Sequence, residues 1–164
     1  MKKANTALWT LIGLLLLALC AVAAYKIWPL LHPKIAATAP LDPECDLRAG
    51  PCTGIFADGA KVSFGISPEE IPVVKHLQFE VRLEGLEARD VEVDFQGVDM
   101  NMGYNRAKLE PSGEGRFSGT GMLPVCVRYA MEWEAKVLLH TDQGLLAAPF
   151  RFITVTPGLA PPGG

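Results

Sequence analysis

"LQFEVRLEG", residues 77–85, is the stretch whose reading decides the fold. Leu77, Phe79, Val81 and Leu83 alternate with Gln78, Glu80, Arg82 and Glu84. Successive side chains of a strand point to opposite faces, so this period of two describes a strand with one apolar and one charged face. A helix would scatter the same four apolar residues around its circumference. The pattern recurs on both sides. Ala60–Ser67 sets Val62, Phe64 and Ile66 against Lys61, Ser63 and Gly65, and residues 90–98 set Val91, Val93 and Phe95 against Glu92 and Asp94. Asn105–Leu109, Arg116–Leu123, Met131–Leu139 and Leu145–Val155 continue the series, with "TDQG" (141–144) as a hairpin turn between the last two. Pro68–Ile71 is expected to form a single turn. Seven short strands, each polar on one face, predict an all-β fold, an Ig-like antiparallel β-sandwich over residues 45–156.

The front of the chain is different. No charge falls between Lys3 and Lys26, and Ala7–Tyr25 is an apolar run of 19 residues, enough as a helix to cover a hydrocarbon layer of about 30 Å. Trp9 and the Tyr25/Trp28 pair flank it, where amphipathic rings favour the headgroup region. A cleaved signal peptide is the alternative, since "AVAA" supplies small residues near a cut. The length of the run and its aromatic flanks favour a retained single-pass transmembrane helix, with residues 1–28 as cytoplasmic tip and anchor. Cys20 follows Leu19, a poor lipobox neighbour, and reads as an apolar residue of the span. Residues 29–44 carry four prolines and read as a stiff tether, and 157–164 as a flexible Pro/Gly tail.

Charge is divided in the same way. The first 40 residues carry four Lys and no acid; beyond them 11 Lys and Arg face 18 Asp and Glu, a net of −7. An acidic domain repels phosphate backbones, which excludes nucleic acid as a partner. Lys2 and Lys3 favour the cytoplasmic side, and the long thiol-bearing domain is expected outside, in the periplasm over an inner membrane. There is no Gly-rich phosphate loop and no nucleophile elbow, and the three histidines (His32, His76, His140) are scattered. An enzyme is not expected.

Cys45 and Cys52 enclose "DLRAGP", with turn formers Gly50 and Pro51. In an oxidising compartment the first reading is a disulfide; a thiol pair for metal or redox exchange is the alternative. Cys126, in "GMLPVCVRYAMEW", reads either as a small buried apolar residue or as a soft ligand.

"DMNMGYN", residues 99–105, places Met100 and Met102 two apart. At strand spacing their side chains share a face, with Cα atoms about 7 Å apart, so two thioethers can converge on one point. Neutral, soft sulfur suits Cu(I) and disfavours Mg²⁺ or Ca²⁺, and it needs no deprotonation. Met122 or Cys126 from a neighbouring strand would complete a three-sulfur set. Trp133 is expected to pack in the core rather than cap a metal.

The span Asp90–Leu139 resembles the small β-sandwich domains of the FixH and YtkA-like group, which accompany cytochrome oxidase assembly and copper handling. The resembling features are "VDMNMGYN", "GEGRFSGTGMLPVC" and "AMEWEAKVLL": a Met-containing loop, a Gly-rich turn at 113–115, a strand ending in Leu123-Pro124, and a strand carrying Trp133. Val125-Cys126 departs from the Met or small residue that often follows Leu-Pro there, and no histidine accompanies the Met pair, which argues against Cu(II). The resemblance implies a membrane-anchored, extracytoplasmic Cu(I)-binding or copper-transfer protein. Its cofactor would be copper at Met100, Met102 and either Met122 or Cys126, and its partner a respiratory oxidase or another copper-handling protein. The competing expectation is a metal-free interaction module that docks on an inner-membrane complex through a strand edge or its loops.

Overall fold

The computed structural model describes residues 2–31, 34–125, 128–156 and 158; within the N-terminal helix, side chains are described at 9, 12–23, 25 and 26. The chain forms two compact units, residues 1–34 and 35–164. The first is α1, Lys2–Leu31. Its described side chains are exposed, among them Trp9, Leu14–Leu17, Leu19 and Val22, and none of 12–23 is charged or strongly polar. Among the described residues, whose side chains run unbroken only over 12–23, no helix is long and apolar enough to cross a membrane.

The second unit is all β and sandwich-like. Its strands are β1 (Ile35–Thr38), β2 (Cys52–Ile55), β3 (Lys61–Ser67), β4 (Leu77–Glu84), β5 (Asp90–Gly97), β6 (Arg106–Gly113), β7 (Arg116–Gly121), β8 (Ala130–Thr141) and β9 (Gly144–Val155). The sheet order is β1-β9-β8-β5-β6-β7-β4-β3-β2. The alternation read in β4 is matched by its burial: Leu77, Phe79, Val81 and Leu83 are buried and the charged residues between them exposed. "TDQG" is the β8–β9 turn, with Thr141 Oγ1 donating to the Gly144 carbonyl over 2.8 Å.

One continuous ribbon makes both layers because β6 changes partners part-way along. Arg106–Leu109 pair with β5, and Glu110–Gly113 pair with β7. The register slips between Pro111 and Gly113. Proline cannot donate to a ladder, and here it stands where the strand is leaving one for another. The core between the layers is crossed by a relay of rings. Phe64 stands 6.2 Å from Phe79, Phe79 5.0 Å from Phe95, and Phe95 6.4 Å from Phe152 between ring centres. Such tilted and edge-on contacts are the arrangements aromatic pairs favour. Trp133 is fully buried and its indole N–H donates to Thr154 Oγ1 over 2.9 Å, so the ring packs in the core as expected.

Two strands were not expected. β1 lies inside the stretch read as a tether and pairs in parallel with β9, and Ala39 just beyond it is buried. All four side chains of β1 are exposed, so no alternation marks it. β2 begins at the second cysteine. The disulfide Cys45–Cys52 is formed, with Cα atoms 5.8 Å apart, and clips the β1–β2 connection to the start of β2. A Cβ at Gly54 would stand 3.5 Å from the Cβ atoms of Ala39 and Ala148, so β2 lies close over β9 on the side where the ribbon does not close.

Candidate functional site

Antiparallel pairing brings three connections to one end of the sandwich: residues 68–76 after β3, 98–105 after β5, and 122–129 after β7. Hydrogen bonds tie these connections to one another and to β8. Val98 N–H donates to the Glu132 carbonyl on β8 over 3.0 Å, and Val74 N–H donates to the Leu123 carbonyl over 2.9 Å. Asn105 Nδ2 donates to the Met122 carbonyl over 3.1 Å. Gly103 N–H reaches back to Asn101 Oδ1 over 2.8 Å, an Asx turn, and Gly103 takes a φ of +78° that a side chain would resist.

Within this rim residues 98–103 line a cavity of about 440 Å³ together with Gln96 and Gly97. Met100 and Met102 are half-buried and both pack against the core. They sit in irregular backbone, not in a strand, so the shared face comes from the loop turning both side chains inward. Met122 is 41% exposed and projects from the same rim. Cys126 lies outside the described residues. Among the donors expected from sequence, Met100 and Met102 therefore both pack against the core from one connection, while Met122, on the neighbouring connection, faces solvent.

Met131, on β8, was not singled out as a donor. It is 3% exposed and faces inward. Gly97 pairs with Trp133, which brings the last residue of β5 beside Met131. A Cβ at Gly97 would collide with Met131 Cε and the Met100 carbonyl oxygen, and would stand 3.2 Å from Met102 Cγ. The side chains of Met102 and Met131 thus approach each other over a glycine. The alternation of "AMEWEAKVLL" placed Met131 and Trp133 on one face; which loop they would meet depended on the β5–β8 pairing, which no local pattern announces.

The charged groups around the rim form ion pairs. The Arg106 guanidinium lies 3.4 Å from both Glu92 and Asp94, and its carbon is 5.3 Å from the centre of the Tyr104 ring. Burial works to lower its pKa, but the hydrogen bond and charge of Asp94, with Tyr104 and Glu92, raise it overall, so the group stays cationic. Asp99 and Arg128 stand 4.0 Å apart across the 98–105 and 122–129 connections. Among the described residues, no group of three His, Cys, Asp or Glu side chains is placed to hold a metal ion. His140 stands 3.5 Å from Glu92, away from the Met pair. The described part of the rim offers thioether sulfur, backbone carbonyls and exposed apolar surface beside the polar side chains of Gln96, Asp99 and Asn101.

Comparison with protein-family models, curated proteins and solved structures finds no match for the chain.

Proposed function

We propose that this protein is a membrane-anchored, extracytoplasmic Cu(I)-binding or copper-transfer protein that uses the methionines of the 98–105 connection. The observation that carries the reading is that Met100 and Met102 both turn onto the core at one rim, where the described residues include no borderline or hard donor cluster. Thioethers alone select a soft monovalent ion, and weak neutral ligands let it leave again, as transfer requires. Met122 and Cys126, from the neighbouring connection, are the third donors expected from sequence. The Ig-like reading is supported by the strand order. The runs β3-β4-β7-β6 and β5-β8-β9 follow the A-B-E-D and C-F-G orders of that architecture, joined here through β6 into one sheet with β1 and β2 at its edges. The anchor is supported by the uncharged run between Lys3 and Lys26 in α1 and by its exposed leucines. A helix apolar all round needs an apolar surrounding. The FixH and YtkA-like resemblance points to a respiratory oxidase as recipient, with the inner membrane as anchor and the domain in the periplasm. The role is binding and transfer, not catalysis.

The test is Cu(I) competition against a chromogenic chelator, using the full chain in detergent. Replacing Met100 and Met102 together by Leu should weaken binding by about tenfold or more, which is about 1.4 kcal/mol. Equal affinity and stoichiometry would remove the pair from consideration.

One observation favours the second reading, a metal-free interaction module. Tyr104 is 81% exposed, and Val74, Val98, Met122 and Val125 are also exposed on these three connections, an apolar surface suited to a protein partner. The same titration separates the two, because an interaction module binds no Cu(I) in either form.

A further inference from the structure

We propose that Met131 is the inner sulfur donor of this rim and that Gly97 is the residue that positions it against Met102. The proposal rests on the soft-metal reading above and adds a ligand from the core, where sequence spacing offered only Met122 and Cys126.

The argument starts from which atoms touch. The two side-chain atoms nearest the point where a Gly97 Cβ would stand are Met131 Cε and Met102 Cγ. Each is bonded directly to its sulfur. The two thioethers therefore approach the same few ångströms of space from different elements, β8 below and the 98–105 connection above. The Met100 carbonyl oxygen closes on the same point. A side chain at Gly97 would occupy that space, so its absence is what lets loop and strand methionines meet.

Burial does not disqualify Met131. An inward carboxylate or imidazole would be penalised for leaving water, but a thioether is neutral and keeps its lone pairs in an apolar site. A low-coordinate soft cation is favoured where water cannot compete for it. The loop is also already joined to the donor's own strand, since Val98 N–H donates to the carbonyl of Glu132, the residue after Met131. An ion held between Met102 and Met131 would strengthen a connection that the backbone has begun. Leu in place of Met131 keeps most of the volume at a modest packing cost, so packing alone does not call for sulfur at this position.

The proposal is tested with the full chain in detergent, its methionine methyl groups labelled with ¹³C, titrated with Ag(I) as an air-stable soft ion in place of Cu(I). The expected result is that the Met102 and Met131 methyl signals shift together and reach their end points at one equivalent. Met131→Leu, which nearly keeps the volume, should weaken Ag(I) binding by about tenfold or more while the domain still unfolds in one cooperative transition. Gly97→Ala should abolish the joint shift of the two methyls. If Met100 and Met102 respond while the Met131 methyl stays fixed, and Met131→Leu binds like the parent, Met131 is core packing and the inference fails while the rim reading stands. If no methyl responds, the rim reading fails and takes this inference with it. Should Met131→Leu not fold, the methyl shifts of the parent chain decide alone.

Discussion

Val74 takes a φ of +57° and Ile71 a φ of +44°, both left-handed and both β-branched. Such residues are disfavoured there by about 1–2 kcal/mol. Val74 is held in that conformation by its N–H bond to the Leu123 carbonyl, which ties the 68–76 connection to the rim. Its side chain is 56% exposed and contributes little burial. Val74→Gly should therefore leave stability within about 1 kcal/mol of the parent, because relief of strain offsets the extra freedom glycine gives the unfolded chain. A loss above about 2 kcal/mol in urea unfolding would mean that the valine side chain packs more than its exposure implies. Residue-level reading of the sequence reached Met100 and Met102 as a pair, and it reached Trp133 as core. It did not reach Met131, whose proposed part depends on a glycine of the paired strand β5.

Strands were legible to the extent that they bury one face. β3, β4, β5, β8 and β9 carry apolar residues at every second position, and each was visible within a residue or two of its true ends. β6 was under-read: only its first half alternates, and Glu110–Gly113 are exposed where the strand crosses to its second partner. β1 was not legible at all, because "IAAT" buries nothing and its partner β9 lies more than a hundred residues downstream. β2 has four residues and a single hydrogen-bonded neighbour, so the Cys45–Cys52 bond bears heavily on it. Replacing both cysteines by serine should lower stability by about 2–3 kcal/mol, the loop-closure value for so short a ring. Amide exchange should accelerate first at Thr53–Ile55. Unchanged exchange there would mean that pairing with β3 and packing near Ala39 and Ala148 suffice to hold the edge.

At the scale of the whole chain, the proposed anchor and the β domain make separable predictions. The full chain should sediment with membranes and resist extraction by carbonate or high salt while being released by detergent, as a spanning helix would be. Release by carbonate would reduce α1 to a peripheral contact, or point to a cleaved leader. A cut intended to free the domain has to fall before Ile35, since β1 begins there and Ala39 is buried.

That placement of β1 has a mechanical side. Ile35 pairs with Leu145 beside the β8–β9 turn, at the end of the sandwich opposite the methionine rim, and β1 runs parallel to β9 toward that rim. A pull on the chain ahead of Ile35, with the rim gripped by another molecule, travels along the strand axis. The β1–β9 hydrogen bonds then share the load in shear instead of opening one at a time, so this short edge strand is oriented to withstand tension along the chain.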